Sequence, residues 1–174
     1  MHGKPLYAIT TDHVRMYKPI IDKLGALHQL CIFHFFKLIG DDVYSILKLK
    51  EVLYRDKIKL CMYFADIKNV FRVYDEEIAI ELFETLLNDF DAIPSVLQKC
   101  ITEKIIPDFG RLIAFMQDGL IARTSNQCEN YYRQTDPGAI KHKYKTRLGI
   151  LAYLARKMEY WTAKFGQTPQ HHVM

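Results

Sequence analysis

No apolar run in this sequence comes near the roughly 18 residues that a membrane-spanning helix needs, so an integral-membrane helix is excluded. No basic-then-apolar leader follows Met1 either; His2, Gly3, Lys4 and Pro5 come next. Cys31, Cys61, Cys100 and Cys128 are scattered and form no C-x-x-C. With no export signal, four such cysteines read as reduced thiols of a cytosolic protein. With 8 Gly and 6 Pro, a collagen-like or linker-dominated chain is excluded. There is no P-loop, no GxGxxG, no GxSxG and no HExxH, so nucleotide-binding and hydrolase classes lack motif support.

What is present is the composition of a folded chain. Hydrophobic residues make up 49%, aromatics 13% and charges 25%, which excludes intrinsic disorder. The 174 residues fit one domain of ordinary size or part of a larger one. The net charge of +4 says little, but its distribution says more. Asp75 to Asp91 holds seven acids and no base, whereas Lys141 to Lys164 holds seven bases and one acid, Glu159. Two faces with different neighbours would produce this asymmetry, and so would two solvated helix faces.

The chain opens as strand, helix, strand. Leu6 to Thr10 is apolar and partly β-branched, and it stops at the polar tip Thr11-Asp12-His13. Pro19 suits the first turn of a helix, Ile20, Ile21 and Leu24 supply its apolar face, and Gly25 ends it. His28 to Phe33 is a second strand candidate, so residues 1–34 read as a parallel βαβ unit with a right-handed crossover. From Phe35 the spacing becomes helical. Helices are expected over Phe35–Leu47, over Glu51–Ala65, and over Asp75–Phe90 with Ile78, Leu82, Phe83, Leu86, Leu87 and Phe90 inward. Another is expected over Val96–Ile105, ended by Pro107-Asp108-Phe109-Gly110, with Leu112–Gln117 following. Thr124-Ser125-Asn126 signals a further helix start, and Pro137-Gly138 a turn. The last helix runs from Thr146 to Phe165, with Leu148, Leu151, Leu154, Ala155, Met158, Trp161 and Phe165 as its stripe. The class is α/β and predominantly helical, with segments 1–34, 35–123 and 124–174. Two strands are too few for a sheet of their own, so either helices cover them or further strands complete them.

A few residues could carry chemistry. Asp12 lies at the carboxyl end of the first strand, where open α/β sheets place ligand groups, and a carboxylate there can hold a hard divalent cation. It could equally be a turn residue or helix cap. Glu129 follows Asn126 by three residues, which is also close to a capping box. Cys31 and His34 form C-x-x-H, but structural zinc needs four ligands and no second pair has metal spacing. A core thiol and a hydrogen-bonded imidazole are the expected roles. Lys141, Lys143, Lys145 and Arg147 interleave with His142 and Tyr144; such a segment can neutralise phosphates, or serve only as a solvated lead-in to the last helix.

Taken in order, ITTDHVRMY, HQLCIFHFFK and TSNQCENYYRQT resemble the DDE transposases of prokaryotic insertion sequences. The closest likeness is to the Mutator-like group, in which the second catalytic Asp is followed by C-x-x-H and a helical insertion precedes the catalytic Glu. Asp12 and Glu129 are 117 positions apart, and the stretch between them reads as helical. The likeness covers both ends of the chain, while the middle matches in character only.

The resemblance implies a partial ribonuclease H-like fold. Asp12 and Glu129 would be the second and third acids of the triad and ligands of Mg²⁺ or Mn²⁺. Cys31, His34 and Asn126 would be motif residues beside them. The partner would be DNA at transposon ends, held in part by Lys141, Lys143, Lys145 and Arg147, and the reaction metal-dependent cleavage and strand transfer in the cytoplasm at the nucleoid, with no membrane. Eleven residues precede Asp12, too few for the strands that carry the family's first Asp, and Asp22, Asp41 and Asp42 read as helical. A carboxyl-terminal part of a transposase, inactive alone, is the expectation. A non-catalytic helical DNA- or protein-binding module is the alternative. A third possibility is a chain whose sheet is completed by a second polypeptide or copy.

Overall fold

A parallel pair of strands forms around one crossover helix in a computed structural model that describes residues 6–135 and 146–165. Strand β1 is Ala8–Thr11, helix α1 Tyr17–Leu24 and strand β2 Leu27–Leu30. Ala8 pairs with Leu27 and Thr11 with Leu30, so the expected βαβ unit is present. Gly25 closes α1 at φ 63°, a left-handed conformation that a side chain would strain, and its N–H bonds to the Asp22 carbonyl.

β2 stops earlier than expected. Helix α2 runs Ile32–Leu47, so Ile32 and Phe33 belong to a helix. A short continuous apolar run such as LCIF does not separate strand from helix by period. Burial separates them: Ile32, Phe35, Ile39 and Val43 are the buried positions of α2, at helical spacing. Cys31 stands at the junction. Its N–H still donates to the Thr11 carbonyl at 2.7 Å, and its carbonyl already accepts from Phe35 N–H at 3.0 Å.

Helix α3 is Tyr54–Val70, later at both ends than the Glu51–Ala65 expectation, because Leu60, Ile67 and Val70 are the positions it buries. Helix α4 is Glu76–Asn88, with the Asp75 carboxylate accepting from Ile78 N–H at 3.1 Å as its cap. Its buried face is Ala79, Phe83 and Leu86. Ile78 and Leu82, expected inward, are 47% and 36% exposed, so the face is turned toward the small Ala79.

Pro107 does not end a helix, contrary to expectation. Helix α5, Ser95–Cys100, passes through a π-helical turn, Ile101–Ile105, into helix α6, Ile106–Gln117. The Ile106 N–H reaches back to the Ile101 carbonyl, and this wider turn puts Pro107 at the start of α6, where its missing N–H is tolerated.

These helices and the strand pair share one core, with Phe35, Ile39, Ile67, Phe71, Leu97, Ile101, Ile105 and Leu112 fully buried. Each such side chain contributes about 1.5–3 kcal/mol relative to exposure. Helix α6 covers β2, and a polar link fixes the fit. The Gln29 side chain is fully buried, donates to the Leu112 carbonyl at 3.1 Å and accepts from Phe115 N–H at 2.7 Å. Helices thus cover the small sheet, which has two strands among the described residues.

The chain divides at Ser125 into two bodies, Met1–Ser125 and Asn126–Met174. In the second, helix α7 is Asn126–Thr135 and helix α8 is Arg147–Phe165. Tyr131 of α7 meets Trp161 of α8 edge to face at 4.8 Å. Leu148 and Leu151, read as part of the apolar stripe, are 80% and 52% exposed. Pro137-Gly138 lies outside the described residues. No helix of the described residues is long and apolar enough to cross a membrane.

Candidate active site

Asp12 follows β1 directly, at the carboxyl edge of the strand pair. It is half-buried, and its Oδ1 accepts weakly from Val14 N–H at 3.4 Å, forming a turn that leads away from the strand. A polar chain holds its backbone. The Thr11 hydroxyl has one proton and donates it to the Asp12 carbonyl at 2.8 Å. Thr11 Oγ1 therefore accepts from His28 Nε2, 2.8 Å away. His28 Nδ1 is then the acceptor facing Arg111 Nη1 at 3.5 Å, and Arg111 is paired with Asp108. This tautomer is assigned from the network. It agrees with the depressed His28 pKa, which burial lowers first and the Arg111 charge second.

His13 turns toward the second strand. Its Nε2 lies 3.4 Å from the Cys31 carbonyl and its ring stacks on Phe35 at 5.5 Å. Burial lowers its pKa, against a smaller upward pull from the Cys31 carbonyl.

Cys31 is fully buried and His34 half-buried, one turn further along the start of α2. Both meet Ser125. Cys31 Sγ accepts from Ser125 N–H at 3.3 Å and from its hydroxyl at 3.4 Å, and His34 Nδ1 lies 3.5 Å from the same hydroxyl. The segment before Ser125 is tied to the same edge. The Arg123 carbonyl accepts from Ile32 N–H at 3.2 Å, and the Arg123 guanidinium, held by the Phe71 carbonyl, lies over the Phe115 ring. The C-x-x-H pair thus holds Ser125 at the carboxyl edge of the strands.

An open cleft of about 510 Å³ adjoins this edge, with Asp12, His13, His34, Lys37 and Asp41 among its lining. The sequence pattern gave no sign that His13 and Lys37 line the cleft with Asp12, or that Ser125 meets Cys31 and His34. His13 and Ser125 lay inside the quoted motifs, and Lys37 follows His34 by three residues on a helix, a spacing that shares a face.

Asn126 and Glu129 stand in the second body, both exposed, in the first turn of α7. Lys141, Lys143 and Lys145 lie outside the described residues. Arg147 is the first residue of α8. Among the described residues, no three His, Cys, Asp or Glu side chains are gathered closely enough to hold one metal ion. The donor chemistry of Asp12 nevertheless suits Mg²⁺ or Mn²⁺, since Mg²⁺ is held by one or two carboxylates completed by water and phosphate oxygens.

No known protein-family profile matches the sequence. No solved structure matches it. The chain is 38% identical over 162 residues to the "Insertion element ISM1 uncharacterized 48.3 kDa protein" of Methanobrevibacter smithii. That match takes in 93% of this chain and 40% of the relative, so the chain spans about two fifths of the length of the protein it matches. The chain is a relative of a protein carried by an insertion element.

Proposed function

We propose that this chain carries two acids of a DDE transposase, Asp12 and Glu129, and that the protein cuts and joins DNA at the ends of its element. The observation that carries this reading is the carboxyl edge of the strand pair. Asp12, the C-x-x-H pair and the Ser125 that precedes the Asn126–Glu129 segment all belong to that edge or are bonded to it. The relation to an insertion-element protein supplies the biological setting.

In this reading Asp12 and Glu129 hold Mg²⁺ or Mn²⁺. Such cations, when bound in pairs, clamp the attacking and leaving oxygens of a phosphodiester exchange. The chain's own residues prepare the place. Thr11, His28 and Arg111 fix the Asp12 backbone, and Cys31 with His34 fixes the approach to α7. Arg147 and the lysines before it would meet DNA phosphates. The motif match accounts for two of the family's three acids within these residues, so the ribonuclease H-like sheet and the metal site would be completed from outside this sequence or by a second polypeptide. A helical binding module is the second reading, favoured by the position of Glu129 in the first turn of α7, where a carboxylate also suits the helix dipole.

The test is DNA cleavage by the purified chain with Mg²⁺ or Mn²⁺. The expected result is that DNA is bound but not cut or joined. Robust cutting that disappears in Asp12→Asn would keep Asp12 catalytic and overturn the incomplete-site part of the reading. Robust cutting that survives both Asp12→Asn and Glu129→Gln would overturn the assignment itself.

A further inference from the structure

Helix α8 carries two stripes. One includes Trp161, which meets Tyr131 of α7. The other holds Gly149, Ala152, Tyr153, Arg156, Lys157 and Tyr160, at the three- and four-residue steps that share a helix face, and lines a groove of about 700 Å³. Glu159, the one acid of α8, is not among those lining residues. A pattern recurs along this stripe. Lys157 Nζ lies 5.9 Å from the Tyr153 ring centre, and Lys164 Nζ lies 5.8 Å from that of Tyr160. Tyr-x-x-x-Lys therefore occurs twice, seven residues apart, which is about 10.5 Å along a helix.

Cations interleaved with ring faces on small-residue ground have a specific chemical match. Lysine and arginine neutralise phosphates, and tyrosine rings stack on bases. In a duplex the base faces are already stacked on one another, so a ring platform favours unpaired bases. Within the groove the residues beside the cations are Gly149, Ala152, Tyr153 and Tyr160, and a membrane surface is the competing partner that the exposed Leu148 and Leu151 of the same helix would suit.

We propose that this face of α8 binds single-stranded DNA, with Arg156 and Lys157 on phosphates and the exposed Tyr160 ring against a base. The choice of DNA rests on the reading above, but the binding needs neither Asp12, Glu129 nor a metal ion. It can therefore fail or stand independently of the chemistry.

The test is fluorescence anisotropy of the full chain with a labelled 20-mer of oligo-dT and with a duplex of equal length, in EDTA. The single strand should bind more tightly. Tyr160, 61% exposed, can be changed with little risk to the fold. Tyr160→Ala should weaken oligo-dT binding about tenfold while duplex binding changes little, and Tyr160→Phe should retain wild-type affinity because the ring remains. Lys157→Gln should lower the salt slope for the single strand by about 0.7. Equal or tighter duplex binding would overturn the proposal, as would wild-type oligo-dT affinity in Tyr160→Ala.

Discussion

The sulfur of Cys31 accepts hydrogen bonds from both the backbone N–H and the hydroxyl of Ser125, 94 residues further along the chain. This contact ends the first body of the fold at the edge where Asp12 sits. It also assigns the C-x-x-H pair a physical task that needs no zinc, namely receiving the segment that leads to Asn126 and Glu129.

Removing that acceptor should loosen the segment. Cys31→Ala deletes a fully buried sulfur and leaves the Ser125 donors without it, so a loss of about 1–3 kcal/mol is expected. Hydrogen exchange at Ser125 and its neighbours should rise more than at the α3 and α4 amides. Uniform acceleration across the first body would mean a general packing effect.

Gln29 should be costly to replace. Gln29→Leu keeps the volume but removes the buried amide that joins β2 to α6 through the Leu112 carbonyl and Phe115 N–H. Urea unfolding should show a loss of about 1–3 kcal/mol, against a change below about 0.5 kcal/mol for an exposed control such as Lys59→Gln. A neutral Gln29→Leu would contradict the role given to the amide.

Stability should fall as pH is lowered through about 6.5. His28 and His13 both have folded pKa values below the ordinary 6.5, chiefly because burial disfavours the cation. The unfolded chain then binds more protons in that range, so stability is full above 6.5 and declines below it. His28→Gln should flatten this decline without removing it, since His13 remains. A rise in stability on acidification over the same range would contradict the buried-neutral assignment.

The thiols should differ in reactivity. Cys61 is exposed, Cys31 and Cys100 are buried, and burial pushes the Cys100 thiol up to about 11. Iodoacetamide at pH 8, read by peptide mass spectrometry, should label Cys61 in the native protein and Cys100 only on unfolding. Rapid native labelling of Cys100 would show that the α5 segment opens.

The strand–helix–strand opening was legible because helix-boundary residues punctuate it: Pro19 in the first turn of the crossover helix and Gly25 after it. The end of β2 was not legible, since an unbroken apolar run suits either periodicity and only packing on α2 decides it. Pro107 misled for the opposite reason. Its local rule is to stop a helix, and a π-helical turn two residues before it supplied the room to continue. Around Asp12 the motif residues were visible in sequence order. The network through Thr11, His28 and Arg111 was not, because its members lie 17 and 83 positions apart and meet only in the fold.

The proposed sharing of a divalent cation by Asp12 and Glu129 is tested by Mn²⁺ titration of the intact chain, Asp12→Asn, Glu129→Gln and the double variant. Each single change should weaken Mn²⁺ binding by about tenfold or more, and the double variant should be little worse than either, because ligands of one site do not act independently. Wild-type affinity in either single variant, or strictly additive losses, would contradict a shared site.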